Sequence, residues 1–339
     1  MIRVGQLGVG YWGKNLLRNF SNLTDECTVT KVFDPKPDMQ ERIRQTNPGV
    51  PITATDEELI ASPDVDAVVI AVPAVLHTEL ALRALAAGKH VYVEKPMAMN
   101  TSDAEKMVKA AKDAGRMLMV GHLLEYHPLY LKARDIAHGG ELGEVFFMHM
   151  FRLNLGRVRT DESAMWSLAP HDISVALMMA GEVPLSVSCT GNSYIQPGID
   201  DVAFMTLQFA SGLRIHIHVC WLDPTKQRGM TVVGKQRMLV LDDMHPEEKL
   251  RVYDMGVDFA ALENLGDMDV VPVRDEGYTV PEFDTVEPLR VECQAFLEAV
   301  RTGNPPPSDG LDGLRVVAVM EAADQSMKRR GEPVDLDLP

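Results

Sequence analysis

The sequence predicts an α/β fold: an N-terminal doubly wound parallel sheet, then an α+β domain with an open, mostly antiparallel sheet. Three observations predict it. Over the first third of the chain, short apolar runs alternate with segments of helical period, joined by short turns. One of those runs, Ala67–Val72 (AVVIAV), is apolar on both faces, as the buried centre of a parallel sheet requires. Beyond residue 122 longer strand patterns take over, which places the boundary between domains 1–121 and 122–339.

The elements follow in order. Ile2–Leu7 reads as a strand broken by glycines, Trp12–Phe20 as a helix, and Thr28–Phe33 as a strand ending at Asp34-Pro35. Asp38–Gln45 is helical, Pro51–Thr53 a short edge strand and Asp56–Ala61 a brief helix. After the buried strand comes an apolar-faced helix, Leu76–Ala87, closed by Gly88, the residue type that a left-handed cap favours. His90–Val93 is a strand running into Glu94-Lys95-Pro96. Ser102-x-x-Glu105 reads as a capping box opening a helix that ends at Gly115, and Met117–Val120 closes the series. In the second domain, helices are predicted at His127–His138, Pro170–Ala180, Val286–Thr302 and Asp309–Arg329. Strands are predicted at Val145–Leu153, Leu185–Asn192, Val202–Phe209, Leu213–Cys220 and Gly229–Val233, with Ala210-Ser211-Gly212 as a hairpin-like turn.

Composition narrows the function. Lysines and arginines number 33 and acids 49, so the formal net charge is 33 − 49 = −16. That balance repels nucleic acid and anionic membranes, and no apolar run approaches the length of a membrane span. Cys27, Cys189, Cys220 and Cys293 form no CxxC pair, and the N-terminus enters a strand directly. Both features suit a reducing cytoplasm.

Gly8-x-Gly10-x-x-Gly13, with Tyr11 and Trp12 inside it, stands between a strand and a helix, and Asp34 ends the next strand. Glycines let the backbone approach a pyrophosphate, and the helix N-terminus offers unpaired N–H groups to its charge. Asp34 would accept hydrogen bonds from ribose hydroxyls and repel a 2′-phosphate, which predicts NAD rather than NADP. Lys36 is the neighbour that would favour the phosphate. A tight turn with no ligand is the alternative.

Glu94-Lys95-Pro96 follows a buried strand and so belongs at the carboxyl edge of the sheet, where open α/β folds bind ligands. A lysine there can hydrogen-bond a substrate hydroxyl and stabilise oxyanion character, and Pro96 fixes the turn that aims it. Gly8–Gly13 (GVGYWG), Asp34, Ala71–His77 (AVPAVLH), Gly88–Pro96 (GKHVYVEKP) and a later Pro170-His171-Asp172 come in this order. In them the chain resembles the Gfo/Idh/MocA family over nearly its whole length. The resemblance implies a Rossmann domain holding NAD and a second domain that carries the substrate and the contact of a homo-oligomer, a dimer or tetramer. It implies that Lys95 is catalytic and that Pro73, His77 and Glu94 lie on the nicotinamide side. The family's Asp-x-Gly-x-His stretch reads Ser167-Leu168-Ala169-Pro170-His171 here, with Ser167 where the acid is common and Asp172 as a possible substitute.

Oxidising a secondary alcohol also requires removal of the hydroxyl proton, and an imidazole titrates near neutrality. His171 is expected as the general base with Lys95 polarising the hydroxyl, and the reverse assignment is open. Tyr126 and His127, with His122, stand where the chain leaves the first domain and are expected to line the substrate cleft. His216, His218 and Cys220 alternate along one strand and share a face. With no fourth ligand they read as a sheet face or subunit interface, and no metal is expected.

Arg152, Arg157 and Arg159 bring three guanidinium groups into eight residues of an acidic chain. They suit a phosphate or carboxylate, with salt bridges to nearby acids as the alternative. Gly121–Pro128 (GHLLEYHP) and Leu155–Ser174, which contains Trp166, resemble the branch of the family that acts on nucleotide sugars, UDP-N-acetylglucosamine 3-dehydrogenase-like proteins. That resemblance implies NAD-dependent oxidation of a ring hydroxyl, at C3, of UDP-N-acetylglucosamine or its uronic acid, as a step in amino-sugar synthesis. The arginines would then meet the diphosphate. A free-sugar or inositol dehydrogenase, a ketoreductase, an NAD-dependent glycosidase and a non-catalytic NAD-binding protein are the alternatives.

Overall fold

The computed structural model describes residues 1–160, 162–262 and 270–339, which divide into two compact units. The first comprises Met1–His127, Val286–Ala318 and Pro339, the second Pro128–Thr285 and Val319–Leu338. The first begins with β1 (Ile2–Leu7), α1 (Gly13–Asn22), β2 (Cys27–Phe33), α2 (Pro37–Thr46) and α3 (Asp56–Ala61). It continues through β3 (Ala67–Ile70), α4 (His77–Ala86), β4 (His90–Val93), α5 (Thr101–Ala114) and β5 (Leu118–Val120). All five strands pair in parallel in the order β2-β1-β3-β4-β5, a Rossmann sheet. Every residue of β3 is buried, as its two-faced apolar run requires. The strand order reverses between β1 and β3, so the loops leaving their carboxyl ends diverge and open a crevice there.

Two local expectations change. Helix α5 is capped by Asn100, which accepts the Asp103 N–H at 2.9 Å, so Ser102 already lies inside the helix. Pro51–Thr53 is not a strand but supplies one parallel bridge, Val32 to Ile52.

The chain then forms α6 (Pro128–His138), β6 (Val145–Leu153), α7 (Ala164–Ala180), β7 (Pro184–Asn192), β8 (Val202–Phe209), β9 (Arg214–Cys220) and β10 (Gln227–Gly234). After these come β11 (Met238–Asp242), β12 (Leu250–Val257), α8 (Phe259–Leu262), β13 (Val273–Thr279), α9 (Pro288–Thr302), α10 (Gly310–Lys328) and β14 (Val334–Asp335). The second sheet runs β13-β12-β11-β10-β6-β9-β8-β7-β14, and only β6 and β9 pair in parallel among the described residues. The four strands β11 to β14 have no counterpart in the sequence reading. Helix α7 starts six residues before the expected Pro170, because Ser163 caps it through the Trp166 N–H. Pro170 therefore sits inside the helix, and the helix forfeits one internal hydrogen bond there. No helix of the described residues is long and apolar enough to cross a membrane.

The single cut at residue 121 is corrected as well: α9 and the start of α10 belong to the first unit. Helix α9 lays Leu289, Cys293, Phe296 and Leu297 into the core that holds α1 against the sheet. The rings of Phe20, Tyr92 and Phe296 meet edge-on with centroids 5.7–6.3 Å apart. Amphipathic spacing marks α9 as half-buried but says nothing of which sheet it covers. Replacing Phe296 by Ala should cost the fold about 3–5 kcal/mol through lost burial and a cavity. Urea titration of the purified protein checks this, and a loss below about 1 kcal/mol would remove α9 from the core.

Candidate active site

The glycine turn is built by steric exclusion. Gly8 has φ +87°, and a Cβ there would lie 2.4 Å from the Ala71 carbonyl oxygen. At Gly13 a Cβ would lie 2.4 Å from the Gly8 carbonyl oxygen. Gly10 has nothing within 4 Å of its Cβ position, so the bare backbone ahead of α1 borders open space. That is the cradle an anion needs. Gln6, fully buried in β1, holds the turn by donating its amide to the carbonyls of Gly8 at 2.9 Å and Gly13 at 2.7 Å. The sequence reading missed Gln6. A glutamine between apolar strand residues was its only signal. Asp34 ends β2, where its carboxylate accepts the Val9 N–H at 2.8 Å and the Lys36 N–H at 3.0 Å. Tyr11 is exposed, with Lys14 5.6 Å from its ring centre.

Trp12 reaches across to the next loop. Its indole N–H donates to Glu94 Oε1 at 2.6 Å, which ties the glycine turn to the segment that leaves β4. Burial pushes the Glu94 carboxyl up to about 7, against the pull of Lys95 and of the Trp12 hydrogen bond. Lys95 follows, partly buried, and its peptide bond to Pro96 is cis. His77 is buried with Nδ1 2.8 Å from the Pro96 oxygen and Nε2 2.9 Å from the Val72 oxygen. Burial holds the imidazole below its ordinary value, so the neutral ring donates one of these bonds. Its ring clamps the Val72 loop to the Lys95 turn, while Pro73 is exposed between them.

Behind the carboxyl edge, the chain after β5 is stapled to the C-terminal segment. His122 Nδ1 lies 2.7 Å from Asp312 and 3.4 Å from Glu125. Tyr126 meets Ser308 Oγ at 2.9 Å, and Ser308 donates to the Val120 oxygen at 2.7 Å. The expectation that Tyr126 lines a cleft is corrected: its ring is 4% exposed and its hydroxyl is engaged by Ser308. His127 is partly buried at the end of the unit's first segment.

In the second unit, α7 carries Trp166, Ser167, His171 and Asp172. Ser167 and His171 are four residues apart and share one partly buried face. Trp166 is buried and donates its indole N–H to Asp324 at 2.8 Å. Arg152 departs from expectation. Its guanidinium forms a two-pronged pair with Asp172 at 2.6 and 3.0 Å, both side chains being buried, so neither offers itself to a ligand. Arg157 and Arg159 are exposed, and Arg159 pairs with Glu162 at 2.8 Å. Asp161, in the same stretch, lies outside the described residues. His218 stacks on Phe204 with centroids 4.2 Å apart, and His216 bonds Thr206 at 3.0 Å. Cys220 Sγ accepts the Leu222 N–H at 3.2 Å.

Two family models match this chain. Residues 2–122 match the Gfo/Idh/MocA model described as "Oxidoreductase family, NAD-binding Rossmann fold", and residues 130–240 match the GFO/IDH/MocA C-terminal domain. The chain belongs to the Gfo/Idh/MocA family. Among its curated relatives, the 2,7-anhydro-N-acetylneuraminate hydratase of Escherichia coli is 33% identical over 62% of this chain and 60% of its own length. Inositol 2-dehydrogenase 2 of Paenarthrobacter aurescens is 28% identical over 97% of both chains. UDP-N-acetylglucosamine 3-dehydrogenase of Acidithiobacillus ferrooxidans is 25% identical over 94% of each. The solved structure of that protein superposes with a TM-score of 0.81, at 23% identity and over 97% and 98% of the two chains.

This Gfo/Idh/MocA chain thus has an NAD-binding Rossmann domain, and its own residues fit the cofactor. Gly8, Gly10 and Gly13 leave a bare anion cradle, and Asp34 is aimed by backbone donors at the end of β2. The staple behind it makes the unit sensitive to pH. Burial opposes charge on His122, but Asp312 and Glu125 outweigh it and hold the imidazole up at about 10. Burial, then Asp312, push Glu125 up to about 8. Both groups bind protons more tightly folded than unfolded, so stability is greatest in mild acid and falls as pH rises from about 5 to about 10. Denaturant midpoints across that window should decline, and less steeply in Glu125→Gln. A flat or rising profile in the parent would disprove the assignment.

Proposed function

We propose that this protein is an NAD-dependent dehydrogenase that oxidises a ring hydroxyl of a nucleotide sugar. The observation that carries it is the Trp12–Glu94 hydrogen bond, which sets the anion cradle and the Lys95 turn side by side at the carboxyl edge of one sheet. NAD, when bound, supplies the hydride acceptor. Lys95 donates a hydrogen bond to the substrate hydroxyl and stabilises the developing oxyanion, while His171 takes its proton. Tyr11, Trp12 and Gly10 border the pyrophosphate, Asp34 holds the adenosine ribose, and Pro73 and Glu94 flank the nicotinamide. His127 and Trp166 belong to the substrate side. Arg157 and Arg159, exposed in an acidic chain, suit the substrate diphosphate. Oxidation at C3 of UDP-N-acetylglucosamine is supported by similarity to the A. ferrooxidans enzyme, and its uronic acid is the other substrate of this reading. Four free cysteines, three of them buried, support a reducing cytoplasm. A homo-oligomer is part of the same reading.

A second reading has one observation of its own. The hydratase match reaches 33% identity, and adding water to an anhydro sugar involves no net oxidation. The same cradle and lysine would then serve a cycle that regenerates its NAD. NADH absorbance with a panel of UDP-sugars, free sugars and inositol separates the two. A dehydrogenase accumulates NADH with one of these, whereas turnover of an anhydro sugar without NADH favours the hydratase.

Lys95→Ala and His171→Asn should each lower turnover by about 10²–10⁴, the range for loss of acid–base or oxyanion help. NAD affinity should be retained in His171→Asn. Near-normal turnover in both variants would overturn the roles given to them.

A further inference from the structure

Beneath the Lys95 turn lies a group of buried acids that hydride transfer itself does not require. Glu94 is its outer member. Its Oε1 accepts from Trp12 and faces the Tyr92 hydroxyl at 3.4 Å, and its Oε2 accepts the Lys95 N–H at 3.3 Å. Tyr92, fully buried, also lies against the carboxyl of Glu292 on α9. Glu292 is 1% exposed, and neither of its oxygens meets a donor among the described residues. Gly121 closes the far side: a Cβ there would lie 2.8 Å from the Tyr92 hydroxyl and 3.0 Å from Glu94 Oε1. Only a glycine lets the chain leaving β5 pass so close.

The charges around this group come from every element that packs on it. Lys95 is the one cation beside Glu94 on its own segment. Helix α9 adds the Cys293 thiol next to Glu292, and the segment after β5 adds His122 and Glu125, with Asp312 from α10 beyond them. The His122 imidazolium is matched by Asp312. That leaves Glu94 and Glu292 close together with Lys95 as counterion, and two carboxylates in such surroundings do not both ionise. Burial, then the nearby Glu94, keep Glu292 protonated. Glu94, with three donors on it, is the member that exchanges its proton.

We propose that Glu94, backed by Tyr92 and Glu292, is a proton store coupled to the charge of the nicotinamide ring, a role that rests on NAD binding at the Lys95 turn. Glu94 gives up its proton when the cationic, oxidised ring is held beside it and takes one back when the ring is neutral. The balance closes. Alcohol oxidation breaks a C–H bond, sends a hydride with two electrons to NAD⁺ and releases the hydroxyl proton through His171 or Lys95. Glu94 takes up one proton equivalent once the ring is neutral, keeps it as the reduced cofactor leaves, and returns it to solvent when NAD⁺ binds again. Linkage makes the effect reciprocal: protonating Glu94 weakens NAD⁺ by the factor by which NAD⁺ displaces the proton, and leaves NADH nearly untouched.

Dissociation constants of NAD⁺ and NADH for the full chain, measured by titration calorimetry between about pH 6 and about pH 8, test this. NAD⁺ should tighten about tenfold over that range and NADH less than about twofold, a coupling of ordinary size. Buffers of different ionisation enthalpy should report proton release with NAD⁺ only. Glu94→Gln should flatten the NAD⁺ profile, and Trp12→Phe, which removes a donor from the carboxylate, should move it to higher pH. Parallel profiles for the two cofactors in the parent, or an unchanged NAD⁺ profile in Glu94→Gln, overturn the proposal. Failure of both cofactors to bind overturns the NAD reading itself, so the two failures are told apart.

Discussion

The hydrogen bond from the Trp12 indole to Glu94 is the contact on which the first unit's site depends. Each partner sits in a loop that leaves the carboxyl end of a different strand, and such loops have no regular partners of their own. The bond joins them without filling the crevice. Around it, backbone groups of the turns are held by buried side chains: Gln6 spans the glycine turn, Asp34 holds its second residue, and His77 clamps the Val72 loop to the Lys95 turn. The Gln6 amide N–H₂, the Asp34 carboxylate and the His77 ring all bond main-chain groups, so the loops keep a shape that fits a ligand before one arrives.

Burial of charge is the second theme. In the second unit Arg152 and Asp172 are each other's buried counterion, and breaking such a pair would leave an uncompensated buried charge. In the first unit buried acids outnumber the cations beside them, and burial favours the protonated form of the excess. The excess is concentrated behind the Lys95 turn, where Glu94, Glu292 and Glu125 all bind protons more tightly than usual. Perturbed carboxyls gathered next to a ligand edge are a physical mark of function.

Much of this was legible in the residues. Alternating strands and helices, the two-faced run at Ala67–Val72 and the spacing of the glycines named the first sheet and its ligand edge, because those patterns arise from local geometry alone. The misreadings share one cause. Ser102 lost the cap to Asn100, Pro170 fell inside a helix, and Arg152 turned inward to Asp172, each because a neighbour made a better local or buried bond. Strands β11 to β14, of two to eight residues, do not share one clear alternation, and pairing across the sheet makes them strands.

By itself the sequence determined the parallel sheet, the turn that only glycine can make, and the presence of a lysine where such sheets meet their ligands. Those properties follow from steric limits on the backbone and from the two periods of side-chain exposure, which act within a few residues. Tertiary structure decided that α9 closes the first core, that Gln6, His77 and Trp12 are struts, and that Glu94 and Glu292 share one buried pocket. These facts depend on contacts between residues as far apart as Trp12 and Glu94, or Tyr92 and Glu292, and on the low dielectric those contacts create. No local pattern encodes either.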